Sequence, residues 1–439
     1  MKNLILPVIA CLCFVACRQA DKPAMFHADE VHSGLYDAKG DGRFGELKWK
    51  FKTSGKIFSS PVIYNEVVYV GSEDKYLYAI NKETGEVKWK FETGGAVHSA
   101  PAIVDGTVYF TSFDGFCYAL NAGTGVLQWK FKTGGEKVNG RVSLWTMKPD
   151  NQYMDDPFDF FLSSPIVHDS LVYFGSADGG LYAVSAKTGE QKWKLQTGGI
   201  IHTSPAFYNN TIYAGGWDTY MYAVDAQTGA VKWKFKTGSD TAYHQLEGIQ
   251  ASALIYDSLV YFGARDGYFY ALNAETGTIV WKYSANNSWI LTTAAAKDGI
   301  VYTGTSDTHV FLAFDAKTGK QIFKVEANGY VYSSPAIAGN AVYFGDFSGQ
   351  LLAVDITTGK IKDKFYTDGR KQFAGTVLKK DSVDFPTAAE GADLSLYSST
   401  VKGMNNLYKL GPIVSSPCID NSIIYFGSSD GYLYALKLK

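Results

Sequence analysis

A short motif recurs along this chain and leaves few folds open to it. The sequence NKETGEVKWKFETGG at residues 81–95 returns with small changes at 121–135, 185–199 and 225–239. Each copy lies within a longer unit of about 40 residues that begins with a Ser/Thr-x-Pro-like element. Self-similarity at a fixed period of this length indicates a solenoid, a propeller or another repeat array.

The repeated unit occurs eight times. The opening element is clear in six units and degenerate at 251 and 292; the clear copies begin at Ser59, Ser99, Ser163, Thr203, Ser333 and Ser415. Within a unit, an apolar strand, a tight turn such as Asp105-Gly106, and runs such as VYFGS, YLYAL and VKWKF predict four strands in succession. Four antiparallel strands, repeated eight times, are typical of a β-propeller.

The two ends of the chain indicate a closed ring. The eighth unit stops at Lys439 after three strands, and the missing fourth strand is found at residues 45–53 as GELKWKFKT. An N-terminal strand donated to the last blade removes the open sheet edges, which an open solenoid would not need. The sequence therefore predicts an all-β, eight-bladed β-propeller whose last blade is completed by the N-terminal strand.

A tryptophan recurs at one position of the fourth strand. It occurs as Trp49, Trp89, Trp129, Trp193, Trp233 and Trp281, and Phe323 and Asp363 replace it late in the chain. A large flat side chain at the same point of successive blades is expected to fill the wedge between neighbours, while the Thr-Gly pair tolerates positive φ. We interpret the repeat as packing and not as a row of ligand sites.

The first 44 residues are interpreted as a targeting signal followed by a tether. The apolar run LILPVIACLCFVAC is too short to span a bilayer but suits a signal peptide. Its end, FVAC, resembles a bacterial lipobox, so residues 1–17 are expected to be a lipoprotein signal peptide with Cys17 as the acylated residue. An ordinary cleaved signal is the alternative. Residues 18–44 are predicted to be a polar tether and residues 45–439 the propeller.

One unit also carries a resemblance to a known family. YAINKETGEVKWKFETGG, with its Ala79, Asn81, Thr84, Gly85, Trp89 and Gly94, resembles the tryptophan-docking repeat of quinoprotein-type eight-bladed propellers with PQQ-like repeats. The resemblance covers residues 45–439. It implies one of two functions: a secreted dehydrogenase that oxidises alcohols or sugars with pyrroloquinoline quinone (PQQ) and Ca²⁺, or a cofactor-free lipoprotein similar to BamB of the outer-membrane β-barrel assembly machinery.

The dehydrogenase alternative implies residues that this chain does not present in a recognisable motif. Many alcohol-oxidising members carry a vicinal cysteine pair over the quinone, and no two cysteines are adjacent here. The carboxylates available for Ca²⁺ or for a base are Asp150, Asp155, Asp156, Asp159 and Glu247, and none aligns with the family pattern. The sequence therefore favours a protein without catalytic residues, metal or cofactor, and leaves PQQ with Ca²⁺ as the alternative.

Three insertions indicate where a functional face lies. They occupy residues 136–162, 239–249 and 368–411, each between the fourth strand of one blade and the first strand of the next. Because strands alternate in direction, the insertions share a face with the turns between second and third strands. A face that gathers insertions commonly binds a ligand or a partner. The residues predicted to form an exposed binding patch there are Phe113, Trp145, Trp217, Arg265, Trp289 and Phe347. Alternatively, the insertions simply cover these rings.

A second set of candidates is expected nearer the axis. The residue before each Ser/Thr-x-Pro element varies and includes His98, His202, Gln250 and Tyr332. The two histidines lie in non-adjacent blades and have no evident third ligand, so a polar funnel lining is favoured over a metal site.

The expected function follows from these features. A net charge of −2 with no long run of one sign argues against nucleic-acid binding. The favoured role is a non-catalytic scaffold for envelope proteins, with β-barrel assembly components among the partners that the resemblance implies. Arg18 after the lipobox gives no inner-membrane retention cue, so lipid anchoring at the periplasmic face of the outer membrane is expected. The alternatives are a periplasmic PQQ- and Ca²⁺-dependent dehydrogenase or a ligand-binding surface lipoprotein.

Overall fold

The fold is a closed ring of eight blades. A computed structural model describes residues 22–239 and 245–439, so Cys17 and the predicted signal peptide lie outside the described residues. Eight four-stranded antiparallel sheets follow one another along the described chain. The all-β propeller predicted from the repeat is therefore confirmed.

The first half of the chain contributes one strand to the last blade and then blades 1 to 4. The elements in order are β1 (Phe44–Lys52); β2 (Val62–Tyr64), β3 (Val67–Gly71), β4 (Tyr76–Asn81) and β5 (Val87–Glu92) of blade 1; β6 (Ala102–Val104), β7 (Thr107–Ser112), β8 (Phe116–Asn121) and β9 (Leu127–Lys132) of blade 2; β10 (Gly140–Val142), a 3₁₀ turn (Leu144–Thr146) and β11 (Tyr153–Asp155) of the first insertion; β12 (Ile166–His168), β13 (Leu171–Gly175), β14 (Gly180–Ser185) and β15 (Gln191–Gln196) of blade 3; and β16 (Ala206–Tyr208), β17 (Thr211–Gly215), β18 (Tyr220–Asp225) and β19 (Val231–Lys236) of blade 4.

The second half completes the ring and adds the helical insertion. The elements are β20 (Leu254–Tyr256), β21 (Leu259–Gly263), β22 (Tyr268–Asn273) and β23 (Ile279–Ser284) of blade 5; β24 (Ala295–Lys297), β25 (Ile300–Gly304), β26 (Val310–Asp315) and β27 (Gln321–Glu326) of blade 6; β28 (Ala336–Ala338), β29 (Ala341–Gly345), β30 (Gln350–Asp355) and β31 (Ile361–Tyr366) of blade 7; α1 (Asp368–Val377), β32 (Leu378–Lys379), β33 (Ser382–Val383), α2 (Phe385–Ala388) and α3 (Tyr397–Tyr408) of the third insertion; and β34 (Cys418–Asp420), β35 (Ile423–Gly427) and β36 (Tyr432–Leu438) of blade 8.

The ring closes through β1. This strand pairs antiparallel with β36, with Trp49 opposite Ala435 and Phe51 opposite Leu433, and so becomes the outer strand of blade 8. The N-terminal strand thus covers the edge of β36 that would otherwise be unpaired.

The repeated tryptophans lie between successive blades. The indole N–H of Trp49 donates to the carbonyl of Lys82 in the next blade (2.9 Å), and the other five repeat the bond around the ring. The indole ring of Trp49 lies against the next Thr-Gly turn. Gly85 of that turn has φ +74°, and a Cβ added to it would lie 2.8 Å from the indole. Glycine is required there both for the positive φ and for the close approach of the indole.

A belt of hydroxyl groups joins the innermost parts of the blades. In six blades the hydroxyl of the second Ser in the Ser/Thr-x-Pro-like element accepts the backbone N–H of the preceding blade; the acceptors are Ser60, Ser164, Ser204, Ser252, Ser334 and Ser416. The serine hydroxyl at this position therefore satisfies buried backbone donors near the axis.

The segment expected to be a tether is part of the folded body from Lys22 onward. Residues 22–43, here called the base segment, cross the face that carries the Thr-Gly turns and bond to the inner strands of five blades. Examples are Phe207 N–H to Glu30 O (2.7 Å) and Ile337 N–H to Gly34 O (2.7 Å). The tether prediction is wrong for these residues because the inner strands present unpaired backbone groups that this segment satisfies.

Candidate functional site

The axial funnel is filled by the chain itself. Three consecutive residues of the first insertion enter it: His98 Nδ1 contacts Phe160 O (2.6 Å), His202 Nδ1 contacts Asp159 Oδ1 (2.9 Å), and the Gln250 amide donates to Phe158 O (2.8 Å). The structure thus brings three of the predicted funnel residues together. They bind a segment of the same chain.

Tyr332, the fourth predicted funnel residue, joins the same cluster. Its ring lies 6.2 Å from that of Phe158 and 5.9 Å from that of Phe160. The funnel residues therefore hold the first insertion by polar contacts on one side of the axis and by aromatic packing on the other.

His202 forms a buried charged cluster with two carboxylates of the first insertion. Its Nδ1 meets Asp159 and its Nε2 lies 3.6 Å from Glu136 Oε2, and all three side chains are almost completely buried. Burial would lower the pKa of His202, but Asp159 and Glu136 outweigh it and raise the pKa to about 10. His202 is therefore an imidazolium at neutral pH, and it anchors the insertion electrostatically.

Arg265 provides a second anchor. It forms an ion pair with Asp156 (Nη2 to Oδ2, 2.6 Å) and donates through Nε and Nη2 to the amide oxygen of Gln250 (3.0 and 2.8 Å). Its guanidinium is stacked between Trp217 and Trp289, 4.4 and 4.1 Å from their ring centres. Burial raises the pKa of the Asp156 carboxyl, and Arg265 opposes this by favouring the charged form.

The exposed aromatic patch predicted from the sequence does not exist as such. Arg265 and Phe347 are completely buried, and Trp217 and Trp289 retain 8% and 4% of their exposure. Phe113 and Trp145 are half-buried, with Phe113 packed on His98 at 5.0 Å. The prediction of exposure is wrong because the insertions lie over these side chains, as the alternative interpretation had it.

The insertions contact one another and form a single cap, defined here as residues 136–162, 245–249 and 368–411. Lys148 exchanges backbone hydrogen bonds with Ser395 (2.7 Å) and Tyr397 (3.1 Å) of the third insertion. Arg141 donates to the carbonyl of Gln245 (3.2 Å) in the second insertion. The cap thus covers the mouth of the funnel from three blade junctions.

Beneath the cap, the axis retains a cavity of only about 30 Å³. Phe26 of the base segment borders it at one end, and Phe161 and Leu162 of the cap border it at the other. A space of this size holds a water molecule or two but not a tricyclic quinone. Within residues 22–239 and 245–439 no cluster of His, Cys, Asp or Glu has the arrangement of a metal site. With the first insertion in the funnel, the axial cavity has no room for PQQ.

The outer surface of the cap carries apolar side chains that the sequence reasoning missed. Large hydrophobic residues exposed there are Val142, Tyr153, Leu394, Leu396 and Val401. The alternation in ADLSLYSS, where Leu394 and Leu396 stand between polar residues, was the available signal. Without the position of the third insertion, that signal could not be distinguished from a buried strand.

The fold and the repeat together define an eight-bladed propeller of the PQQ-repeat class. The family profile described as outer membrane protein assembly factor BamB matches residues 34–157, 144–268 and 246–439, and the chain belongs to this family.

Solved structures of two functional kinds share the fold. BamB from Moraxella catarrhalis has a TM-score of 0.65 at 15% identity, covering 90% of this chain and 99% of its own. A europium-containing methanol dehydrogenase has a TM-score of 0.66 at 14% identity, covering 93% and 97%. The quinohemoprotein alcohol dehydrogenase from Comamonas testosteroni has a TM-score of 0.67 at 16% identity, covering 96% and 81%.

A search of the curated proteins found no match. Among the helices of the described residues, none combines the length and apolar character needed to cross a membrane.

Proposed function

We propose that this protein is a non-catalytic envelope scaffold that docks protein partners on the outer surface of its cap. The observation that carries the proposal is the construction of the cap: it seals the funnel with buried ion pairs and displays apolar side chains outward. Other exposed apolar residues of the described chain are spread over the repeated outer strands, their turns and the base segment, whereas these belong to the one surface that does not repeat, which favours recognition there.

Family membership supports the class of partner. The matching profile is that of an outer membrane protein assembly factor, so components that assemble outer-membrane β-barrels are the partners we propose. Lipid anchoring at Cys17 on the periplasmic face of the outer membrane belongs to the same proposal and rests on the FVAC sequence.

The base segment gives this scaffold an orientation. Five residues separate Cys17 from Pro23 at the start of the bonded base segment, and that length spans about 20 Å at most when extended. An acyl chain on Cys17 would therefore hold the Thr-Gly face towards the bilayer. The cap, on the opposite face, would point into the compartment where partners are met.

Site-specific photocrosslinking tests the docking face. A photoreactive amino acid at Val142 or Leu394 on the cap is expected to crosslink envelope proteins in intact cells. The matched control is Val126, which is more exposed (62%) but lies beside a Thr-Gly turn. Equal adduct patterns from all three positions, or none from the cap, would contradict the proposal.

A dehydrogenase using PQQ and Ca²⁺ is the second candidate, because two of the similar structures are alcohol-oxidising enzymes. The filled funnel argues against it. We expect calorimetric titration of the protein with PQQ, with and without Ca²⁺, to give no saturable heat at high micromolar quinone. Calcium-dependent binding of one PQQ per chain would instead show that the cap opens, and would redirect attention to Asp155 and Asp156.

A further inference from the structure

A second cavity lies under the cap, beside the axial cluster, with which it shares Phe158 and Tyr332. It has a volume of about 300 Å³ and is bordered by six aromatic side chains, Trp145, Phe158, Trp289, Tyr330, Tyr332 and Phe385, with Asp307 and Thr400 as polar neighbours. We propose that this aromatic pocket binds an organic cation such as the ammonium group of a lysine side chain. The inference deepens the proposed docking role, and it rests on that role only for the source of the cation.

The rings of the aromatic pocket form a box and not a platform. Phe158 stands nearly perpendicular to Trp289, Tyr330 and Tyr332, at 80°, 84° and 83°, with ring centres 6.0 to 6.2 Å apart. Trp145 faces Trp289 from the cap side at 6.5 Å. Rings that meet at steep angles present a mixture of faces and edges to the cavity that they border, and an ammonium group is attracted to the faces.

The charge and polarity of the pocket favour the same occupant. Asp307 is an exposed carboxylate at the edge of the pocket, and one of its oxygens accepts a hydrogen bond from Ser306 (2.8 Å). Thr400 is already bonded to Met147. A cation needs only ring faces and one nearby negative charge, and the lining supplies both.

Two features of the chain point to a built site. The indole of Trp289 already stacks on the guanidinium of Arg265 at 4.1 Å, and Asp156 neutralises that charge. Trp145 adopts φ 51° and ψ 32°, left-handed values that a bulky side chain rarely takes, and its neighbours Ser143 and Thr146 do the same. Such backbone strain is commonly retained where a side chain must be presented to a ligand.

Titration with a cation and its neutral isostere tests the proposal. Tryptophan fluorescence and NMR of the purified protein would follow the addition of choline, of Nα-acetyl-lysine methylamide, and of the neutral 3,3-dimethylbutan-1-ol, at constant ionic strength. We expect saturable binding of the cations, and binding of the neutral alcohol weaker by about tenfold. Tighter binding of the lysine derivative than of choline would identify a protein side chain as the source, and the reverse order a free quaternary ammonium compound.

Variants assign the binding to this pocket. Trp145→Ala is expected to weaken the cation by about tenfold and Asp307→Asn by about threefold to tenfold. The controls are Tyr153→Ala, an exposed ring of the same insertion, and Asp298→Asn, a carboxylate of the same blade on the opposite face; both should bind as the unaltered protein does.

Three results would overturn the proposal: equal binding of the neutral alcohol, unchanged affinity in the Asp307→Asn variant, or no cation binding up to about 100 mM. Asp307 is exposed, so its variant is expected to fold even where Trp145→Ala does not. Failure here leaves the crosslinking result at Val142 intact, because Val142 does not border the pocket, whereas Leu394 does.

Discussion

A chain that begins at Ser54, and so lacks the base segment and β1, is expected to lose its cooperative unfolding transition. Without β1, the edge of β36 is open and Trp49 no longer fills the wedge against blade 1. Deletion of the base segment also removes the backbone hydrogen bonds that join it to blades 2, 4, 5, 6 and 7. An open propeller with a long unpaired edge is prone to associate with other copies.

A chain that begins at Arg43 separates the two contributions. It retains β1 but lacks the base segment, and so loses eight backbone hydrogen bonds to the propeller together with the buried Met25 and Phe26. We expect it to stay monomeric and folded, with the free energy of unfolding lower by about 3–6 kcal/mol. Urea unfolding followed by tryptophan fluorescence, with size-exclusion chromatography, measures both effects. If the chain from Ser54 unfolded at the same urea concentration as the unaltered protein, closure of the ring by β1 would contribute little to stability.

The propeller was predictable from the sequence because its information is periodic. Each Thr-Gly pair and each tryptophan indicates the same local packing. Because the unit occurs eight times, the pattern predicts a propeller over other folds. The late positions support this: Phe323 replaces the tryptophan and still lies against Gly359 of the following turn.

The cap was not predictable to the same extent, because its residues occur once. Asp156 and Asp159 stand three apart in an insertion without period, while their partners Arg265 and His202 come from blades 5 and 4. Local pattern cannot assign such pairs, since both charges are explained equally well as solvated surface. The same limit applied to the base segment, whose polar composition hid the backbone bonds that it makes.

Replacing Asp159 by Asn is expected to release the first insertion from the funnel and to lower the free energy of unfolding by about 3–5 kcal/mol, because His202 would then be a buried charge with only Glu136 nearby. Asp169→Asn is the matched control: Asp169 also lies beside a histidine, His168 at 3.6 Å, but is largely exposed. We expect the control to change stability by less than about 0.5 kcal/mol.

The pH dependence of stability distinguishes the loss of a charge pair from a simple packing defect. His202 has a pKa of about 10 in the fold and an ordinary value of 6.5 without it. A histidine whose pKa is raised by folding stabilises the fold fully below its unfolded pKa, and the contribution falls as pH rises towards the folded pKa. The free energy of unfolding of the unaltered protein should therefore decrease between pH 7 and about 10.

In Asp159→Asn the pKa of His202 is no longer held up by that carboxylate, so the decrease should be shallower, whereas Asp169→Asn should follow the unaltered protein. Urea titrations at half-unit pH intervals measure these slopes. Parallel slopes for the unaltered protein and Asp159→Asn would mean that His202 is not the charged anchor of the cap.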